Sequence, residues 1–410
     1  MDDPQRTILV RCSGRDRPGI TTGLLGVLAE GGAELFDMEQ VVVRARLTLD
    51  LLIGVDAGDD VLKELLFHAW EQGLQLDFEV VEGEAPRPTG PRSVVTVIGQ
   101  RLPPAALREI TGAIAEGDGN IDRIVRLARY PVLAYEFVVR NGDVARMRAL
   151  LVDAAKQRGV DVALQRESLE RRAKRLVVMD VDSTLIQDEV IELLAHEAGC
   201  GEEVAGITAR AMAGELDFEA SLRERTARLA GTRVEALDRV AGRVRLTPGA
   251  RTFVRTLKRL GYTVAIVSGG FTYVTDRLAA DLGIDHAAAN DLEIVDGVVT
   301  GRILGEVIDR AGKARVLREI AGAEQVPLEQ TVAVGDGAND LDMLATAGLG
   351  IAFNAKPVVR EAADTALTVP YLDAILFLLG IRREDIERAD EDDPSLAADG
   401  PAPARDTPPG

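Results

Sequence analysis

The sequence predicts an α/β protein in which a doubly wound parallel sheet with an inserted helical cap follows two small βαββαβ modules. Two observations predict this class. The first part of the chain repeats one order of strands and helices, and the second part alternates short apolar runs with helical stretches. The length of 410 residues also exceeds what one hydrophobic core usually spans, so several domains are expected.

The first repeat occupies residues 1–85. Extended, β-branched segments predict its strands, and apolar residues at helical spacing predict its helices. The predicted elements are a strand over Thr7–Ser13, a helix over Gly19–Ala29, extended segments within Glu39–Val55, a helix over Val61–Gln72 and a strand over Leu76–Val81.

After the proline-rich stretch Ala85–Pro91, the same order returns in residues 92–168. Two ferredoxin-like modules in tandem explain the repeat, and the alternative is two unrelated α+β segments that match by chance. The second set consists of Val94–Ile98, Ala105–Ala115, Ile121–Val139, Val144–Gln157 and Val160–Gln165.

A third domain is predicted over residues 174–381, after the charged segment Glu167–Arg175. Short apolar runs bounded by polar turns suit the buried parallel strands of a Rossmann-like sheet. The predicted strands are Leu176–Met179, Thr263–Val267 and Thr331–Val334, and the predicted helices are Ala250–Arg259, Tyr273–Asp281, Lys313–Ile320 and Leu341–Thr346.

Three further segments complete the prediction. The helical stretch Glu189–Val240 is too long for a simple crossover and predicts a cap over about 189–245. Asp296-Gly297, at the centre of Glu293–Ile303, predicts a β-hairpin. Beyond Arg382 the chain becomes acidic and then rich in Ala, Asp and Pro, which predicts a disordered tail over 382–410.

The composition argues against several function classes. A formal net charge of −19 disfavours non-specific attraction to nucleic acid or anionic lipid. Two cysteines are too few for a disulfide framework. Together with only three histidines, they also argue against a zinc enzyme. The sequence contains no apolar stretch long enough to cross a bilayer and starts without the pattern of a secretory signal. We therefore expect a cytoplasmic protein without membrane or nucleic-acid partners.

Two acidic turns follow predicted strands of the third domain. Asp180 and Asp182 follow its first strand, and Asp336 and Asp340 follow its third. Open α/β sheets bind ligands at the carboxyl ends of their strands, so these aspartates should gather at one edge. They would repel one another without a cation, and an all-oxygen set suits Mg²⁺. The alternative for the first pair is an Asx turn or a helix N-cap, which leaves one carboxylate unexplained.

A phosphate site is predicted beside these carboxylates. Ser268 and Gly269 end the middle strand and offer a hydroxyl and an accessible N–H at the start of a helix. Lys313 opens a later helix and could bring a positive charge into the same crevice. Alone, Ser-Gly-Gly is more often a plain turn and a single lysine is more often solvated, so neither is specific without the other motifs.

Together these motifs resemble those of the haloacid dehalogenase superfamily of phosphatases. Within it, Asp180–Leu185, Ala211–Phe218, Val267–Phe271 and Val334–Asp340 are similar to the phosphoserine phosphatase family, over roughly residues 175–379. The resemblance implies a Mg²⁺-dependent phosphoric monoester hydrolase that converts O-phospho-L-serine to L-serine and phosphate in serine biosynthesis. The alternatives are another small-phosphomonoester phosphatase, a phosphotransferase, or an amino-acid-binding sensor whose phosphatase fold is structural.

The resemblance also implies roles for the acidic residues and the lysine. It makes Asp180 the nucleophile that forms an aspartyl-phosphate, and Asp182 the general acid and base. Asp336 would complete the metal site with Asp180 and the Asp182 carbonyl. Lys313 would hold phosphoryl oxygens, while Asp340 would lie behind the direct metal ligands.

The resemblance implies that seven residues contact substrate, and only the spacing shared with the family singles out those of the cap. Arg225 would bind the carboxylate of phosphoserine, Glu189 would pair with its ammonium group, and Asn339 would orient the substrate or the region of Lys313. Taken singly, such an arginine is more often solvent-exposed, and Met212 and Phe218, expected to close the pocket, are more often simple core. The full set is Glu189, Met212, Phe218, Arg225, Ser268, Gly269 and Asn339.

The two leading modules are similar to ACT domains, which sense amino acids. The first has its ligand turn at Asp16, Pro18, Gly19 and Ile20. The second has Arg101–Pro104 there and lacks both the aspartate and the glycine, which favours a role in packing or subunit pairing. The resemblance implies feedback regulation by an amino-acid effector, with serine as first choice, and a homodimer formed through the ACT-like domains.

Overall fold

The computed structural model divides into two compact units, Met1–Thr89 and Gly90–Gly410. It describes residues 6–56, 60–81 and 90–393, except the side chains of residues 170, 172 and 212. Within these ranges the strands form two four-stranded sheets and one seven-stranded sheet. No helix in the same ranges is long and apolar enough to cross a membrane.

The first unit is a ferredoxin-like module, as predicted. Its elements are β1 (Arg6–Arg15), α1 (Ile20–Glu30), β2 (Glu34–Val43), β3 (Arg46–Val55), α2 (Val61–Glu71) and β4 (Gln75–Val81). The strands pair antiparallel in the order β2-β3-β1-β4. Alternate strand residues point to the helices, so Val10 and Leu49 form a core with Leu24 of α1 and Leu65 of α2.

The second module has the same topology, which makes the sequence repeat a structural one. Its elements are β5 (Arg92–Gly99), α3 (Pro104–Glu116), β6 (Gly119–Ala128), β7 (Leu133–Asn141), α4 (Val144–Arg158) and β8 (Asp161–Arg166). The order β6-β7-β5-β8 repeats that of the first sheet, position by position. Val95 and Phe137 pack here against Ile110 of α3 and Leu151 of α4.

The large sheet has β9 at its centre. Its strands are β9 (Leu176–Met179), β10 (Thr263–Phe271), β11 (His286–Val295), β12 (Val298–Leu304), β13 (Thr331–Gly335), β14 (Gly350–Phe353) and β15 (Thr365–Leu367). They lie in the order β12-β11-β10-β9-β13-β14-β15, and only the β11–β12 pair is antiparallel among the described pairs. The three predicted strands are therefore neighbours. Every residue of β9 is buried, as expected for a strand with both faces covered.

The predicted cap lies between β9 and β10 in the chain and consists of helices within residues 190–241. Other helices flank the sheet. The predicted hairpin turn, Asp296-Gly297, joins β11 to β12 with φ of 51° and 75°. The helices after the second module are α5 (Leu169–Arg172), α6 (Val190–Glu197), α7 (Gly201–Met212), α8 (Phe218–Ala227), α9 (Val234–Ala241), α10 (Ala250–Arg259), α11 (Thr272–Leu282), α12 (Arg310–Ala323), α13 (Leu341–Thr346), α14 (Pro357–Ala362), α15 (Ile375–Leu378) and α16 (Arg383–Glu391).

The prediction of a disordered tail over 382–410 is wrong for its first part, because α16 is a packed helix. Ile386 is buried, and Asp390 accepts a hydrogen bond of 2.6 Å from Arg255 and a second bond from Arg259. The acidic composition of this segment therefore serves pairing with the basic face of α10. Residues 394–410 lie outside the described part of the chain.

The second module and the large sheet share one hydrophobic core. Leu127 and Val132 of the module belong to the same buried cluster as Phe377 of α15. The edge strand β8 lies beside β15, the edge of the large sheet. Asp161 of β8 accepts hydrogen bonds of 2.8 Å from both the N–H and the hydroxyl of Thr368.

Candidate active site

The carboxyl ends of β9 and β13 bring the two acidic turns together. Asp180 directly follows β9, and its N–H donates to the carbonyl of Val334 in β13 at 2.9 Å. The parallel register aligns Met179 with Val334, so Asp336 leaves the sheet next to Asp180. After Asp180 the chain makes a tight turn, in which Ser183 has a φ of 58°. The turn directs the chain towards the cap.

Three carboxylates lie within reach of a single ion. One oxygen from each of Asp180, Asp336 and Asp340 lies within 4.8 Å of the others. The carboxylate of Asp182 is not among them in the part of the chain that the structure describes. Its two oxygens instead accept hydrogen bonds from the Val190 N–H at 2.8 Å and the Ser268 hydroxyl at 3.1 Å.

Lys313 lies inside this acidic cluster and is only 1 % exposed. Its Nζ is 2.7 Å from Oδ1 of Asp180 and 2.6 Å from Oδ1 of Asp340. Burial alone would lower the pKa of Lys313, but the charges of the two aspartates outweigh it and raise the pKa, so the ammonium stays protonated at neutral pH. The other oxygen of Asp340 accepts from the Gly337 N–H at 2.9 Å.

The cluster carries more negative charge than one lysine neutralises. Burial raises the pKa of Asp180 well above its usual range, although Lys313 opposes the shift. Burial, together with the charge of Asp340, raises the pKa of Asp336 to about 6. A divalent cation would relieve this repulsion, and the donors are all oxygens, so the residues fit Mg²⁺.

Asp182 and Ser268 form the second half of the site. Burial raises the pKa of Asp182, and its hydrogen bonds from Val190 and Ser268 oppose the shift. Ser268 also accepts a hydrogen bond of 2.8 Å from the Gly270 N–H. The predicted strand ended at Val267, whereas β10 continues through these residues to Phe271. Ser268 and Gly269 therefore lie in an irregular strand end, and α11 starts only at Thr272.

The cap places three of the predicted substrate residues near the sheet edge. A β-carbon on Gly269 would lie 2.8 Å from Cζ of Phe218, so the phenyl ring covers this glycine. Glu189 directly precedes α6, and its carboxylate accepts from the Ser183 hydroxyl at 2.9 Å. Loss of hydration, followed by the charge of Asp182, raises the pKa of Glu189 to about 7.

Arg225 is half-buried, unlike the solvent-exposed arginine that was the alternative. Its Nε donates to the Ser221 carbonyl at 3.4 Å, and the guanidinium forms no ion pair with a described residue. Loss of hydration lowers its pKa, while the charge of Glu189 opposes this. A guanidinium in this position is available to an anionic group. The side chain of Met212 lies outside the described residues.

Two residues next to the predicted ones were given no role from the sequence. Thr184 is buried and its hydroxyl donates to Asp336 at 3.5 Å, while Ser183 holds Glu189. Their position inside the first acidic motif was the available signal. Asn339 is half-buried in a short 3₁₀ turn, Ala338–Asp340, beside the carboxylate cluster.

The predicted regulatory residues lie in the other unit, at the turn between β1 and α1. Asp16 and Pro18 are exposed, and the Asp16 N–H donates to the carbonyl of Ala45 at 2.9 Å. Gly19 has a φ of 93°, and an added β-carbon would meet nothing within 4 Å. Ile20 starts α1 and is buried. The turn is therefore open on its outer side.

Comparison with known proteins assigns each of the three regions to a family. Residues 177–345 match the haloacid dehalogenase-like hydrolases, and residues 6–79 and 92–165 each match an ACT domain. A phosphoserine phosphatase from Streptomyces coelicolor is 56 % identical over 408 residues, covering 97 % of either chain. The chain belongs to the phosphoserine phosphatase family.

Some other members of the phosphoserine phosphatase family match only part of the chain. The enzyme from Streptococcus thermophilus is 49 % identical over 206 residues, which are 50 % of this chain and 96 % of its own. The crystal structure of a probable phosphoserine phosphatase from Vibrio cholerae, in an unliganded form, is 38 % identical with a TM-score of 0.57. It covers 70 % of this chain and 86 % of its own.

Proposed function

We propose that this chain hydrolyses O-phospho-L-serine to L-serine and phosphate, as the last step of serine biosynthesis. The observation that supports the reaction is the buried ion pair of Lys313 and Asp180, which lies next to Asp182 at the same sheet edge. The half-buried guanidinium of Arg225 in the cap supports a substrate with a carboxylate. The related enzymes from Streptomyces coelicolor and Streptococcus thermophilus are named for the same substrate, phosphoserine.

Asp180 is the proposed nucleophile. One carboxylate oxygen forms a bond to phosphorus while the bond between phosphorus and the seryl oxygen breaks, which gives an aspartyl-phosphate. Lys313 contacts Oδ1 at 2.7 Å and leaves Oδ2 for the attack. Its ammonium group, with the Ser268 hydroxyl and the Gly269 N–H, would hold the phosphoryl oxygens.

Asp182 is the proposed general acid and base. It gives a proton to the leaving seryl oxygen and later takes one from the water that attacks phosphorus, as the Asp180–phosphorus bond breaks. Burial raises the pKa of Asp182, which favours the protonated form required for the first step. Hydrogen bonds from Val190 and Ser268 fix the direction of the carboxyl group.

Mg²⁺ is the proposed cofactor, held by the carboxylates of Asp180 and Asp336 and by the main-chain carbonyl of Asp182. When bound, it neutralises the phosphoryl oxygens that would otherwise repel an attacking carboxylate. Asp340 has both oxygens engaged, with Lys313 and with the Gly337 N–H, so its proposed role is to hold the lysine.

The cap is proposed to select the amino-acid end of the substrate. Arg225 would bind the substrate carboxylate and Glu189 its ammonium group, whose charge would keep Glu189 ionised near neutral pH. Phe218 and Met212 would close the pocket with apolar surface, and Asn339 would orient the substrate.

A phosphate-release assay with and without Mg²⁺ tests the reaction. Wild-type protein should release phosphate from phosphoserine, should stop in excess chelator and should recover with Mg²⁺. Asp180→Asn should lower kcat by more than about 10³-fold, because an amide cannot act as the nucleophile. An unchanged circular dichroism spectrum is the control. Transfer to an acceptor other than water would indicate a phosphotransferase, and complete absence of turnover would favour a sensor.

Arg225→Ala tests the substrate assignment. It should damage hydrolysis of phosphoserine far more than hydrolysis of a phosphate ester without a carboxylate, because only the first loses a charge-assisted pair. Arg223→Ala is the matched control, since Arg223 lies on the same helix but pairs with Glu219 at the surface. Equal losses on both substrates would show that Arg225 supports structure alone.

We further propose feedback regulation by an amino-acid effector, serine being the first choice, at Asp16, Pro18, Gly19 and Ile20. A homodimer through the ACT domains and a cytoplasmic location belong to the same proposal, the latter supported by two free cysteines. The proposed domains are 1–85, 92–168 and 174–381, the last with its cap at about 189–245.

A further inference from the structure

Asn290 connects two parts of the phosphate-binding region, although nothing in the sequence pattern distinguishes it. It lies in β11 and is 1 % exposed. Its Nδ2 donates to the carbonyl of Gly269 at 2.9 Å, and its Oδ1 accepts from the N–H of Ile308 at 2.8 Å. One buried amide thus joins the end of β10 to the segment that leads into α12.

The irregular end of β10 explains why a side chain is needed there. The parallel register pairs Val267 with Ala288 and Phe271 with Asn290. Three residues of β10 therefore face a single residue of β11, and the pairing is lost between these points. A bulge of this kind leaves backbone groups without their ladder partners. The Asn290 amide provides the partner for the Gly269 carbonyl.

This hydrogen bond leads to the proposed acid and base. The Gly269 carbonyl and the Gly270 N–H belong to one rigid peptide plane, so a bond to the first fixes the direction of the second. The Gly270 N–H donates to Ser268 Oγ at 2.8 Å, and Ser268 donates to Asp182 at 3.1 Å. A chain of hydrogen bonds therefore runs from Asn290 to Asp182.

The amide oxygen of Asn290 accepts from the segment that leads into α12, the helix that carries Lys313. Ile308 is followed by Asp309, the N-cap of α12, whose side chain accepts from the Gly312 N–H at 2.7 Å. The Asp309 carbonyl accepts from the Lys313 N–H at 2.9 Å. Fixing the Ile308 N–H therefore fixes the first turn of α12, from which Lys313 reaches Asp180.

We infer that Asn290 is a positioning residue for phosphoryl transfer, which holds the Ser268–Gly270 strand end and the start of α12 at a fixed separation. The inference rests on the proposed phosphoserine hydrolysis. Because the partners are a backbone carbonyl and a backbone N–H, the position requires one donor and one acceptor on the same short side chain. Asparagine meets this need, whereas ionised aspartate has no donor and alanine has neither group.

Asn290→Ala and Asn290→Leu test the inference in the full chain. Both should lower kcat for phosphoserine about 10²-fold, because small displacements of catalytic groups have effects of this size. KM should change less than about threefold, because Arg225 and Glu189 are untouched. The inhibition constant of orthophosphate should rise, since that anion probes the phosphate site without the amino-acid end. Asn290→Leu keeps nearly the shape of the side chain without its donor and acceptor, and serves as the second variant if alanine does not fold.

Thr331→Val is the matched control. Thr331 is also buried and also joins two backbone groups, donating to the Leu328 carbonyl at 2.7 Å and accepting from the Gly348 N–H at 3.3 Å. It starts β13, at the end of the sheet opposite to the site. This variant should lose thermal stability and keep kcat.

The outcomes separate the possible roles. A kcat within about threefold of wild type in folded Asn290→Leu would overturn the inference, as would equal effects of the Asn290 and Thr331 variants on kcat. Failure of the proposed function has a different signature, since wild-type protein would then release no phosphate from phosphoserine. In that case, calorimetry of orthophosphate binding to wild type and Asn290→Leu still tests the positioning, and equal affinities would refute it.

Discussion

The two ACT domains have one topology but different surroundings. In the first, the buried cluster consists of residues between Ile8 and Leu74, so the module has a core of its own. In the second, part of the apolar surface joins the main cluster of the large sheet, through residues such as Leu127, Val132 and Ala163. The same fold is thus a separate unit in one copy and part of the catalytic body in the other.

Polar contacts strengthen this difference. The Gln165 amide donates to the Leu378 carbonyl at 3.0 Å. Arg171, in the short helix after the second module, pairs with Glu136 at 2.6 Å and is almost fully buried. Arg148 of α4 donates to the carbonyl of Asp364 at 3.2 Å. The outer surface of an ACT domain, rather than its topology, decides whether it can act as an independent module.

The turns before α1 and α3, where an ACT domain would bind a ligand, also differ between the two modules. Gly19 precedes α1 with a φ of 93°, a conformation that favours glycine, and has open space around it. The second module has Pro103 at this position with a φ of −67°, followed by Pro104 at the start of α3. Proline lacks an N–H, so this turn offers fewer donors to a ligand. This difference supports the proposal that the first copy binds the effector and the second gives structural support.

Among the changes that test this comparison of the two ACT domains, truncation should have the largest effect. A chain that starts at Gly90 should keep hydrolysis within about twofold, whereas a chain that starts at Glu167 should lose at least about tenfold in active protein. The second truncation removes Leu127 and Val132 from the buried cluster that they share with Phe377. The apolar surface exposed in this way costs about 25 cal/mol for each Å². Phosphate release and the yield of soluble protein are the measurements.

Equal activity and stability of the two truncated chains would contradict the comparison. Membership of the family does not predict the outcome. The relative from Streptococcus thermophilus matches only half of this chain, and that match covers 96 % of its own length, so the family includes much shorter proteins. The result depends on the surface that this particular chain presents.

A smaller effect is expected from Asp161→Ala. Loss of its carboxylate leaves the N–H groups of Thr368 and Val369 without this acceptor, which should reduce the free energy of unfolding of the second unit by about 1–3 kcal/mol. Asp77→Ala on β4, the corresponding strand of the first module, is the control. Asp77 is exposed, so its variant should stay within about 0.5 kcal/mol. Urea unfolding of both variants tests this, and equal losses would remove the proposed difference.

The smallest effect is expected from Gly19→Val, which should raise the serine concentration for half-inhibition by about fivefold or more and leave the uninhibited rate unchanged. Gly32→Val is the control, because Gly32 also has a positive φ, 68°, and open space, but lies at the other end of α1. Both variants place a β-branched residue at a positive φ, which strains the backbone. An unchanged response to serine in Gly19→Val, or the same change in both, would argue against the first module as the sensor.

Much of the fold followed from local patterns. The strand-and-helix order predicted both modules, and the acidic turns after Leu176–Met179 and Thr331–Val334 predicted that Asp180 and Asp336 would meet. Lys313 was placed in the same crevice by its motif, and the structure has it between Asp180 and Asp340. These features could be predicted because the strands were recognisable in the sequence, and parallel strands bring their carboxyl ends to one edge of the sheet.

Other features had no local signal. The extension of β10 through Ser268 depends on a bulge against β11, and Gly and Ser in a turn-like run predict the end of a strand instead. The acidic composition after Arg382 predicted disorder, but α16 pairs with arginines of α10 that are more than a hundred residues away in sequence. Asn290 follows three alanines and shows its role only through its two partners.

The sequence by itself therefore determined the topology and the gathering of chemical groups, since both depend on the period of apolar residues and on the polar residues that end each strand. The tertiary structure alone decided which ACT domain has a core of its own and which partners hold the Ser268–Gly270 strand end. Those features depend on hydrogen bonds and packing between distant segments, such as Asp161 with Thr368, which are 207 residues apart. The energy of such a contact depends on whether both partners are buried together, and no local pattern records that.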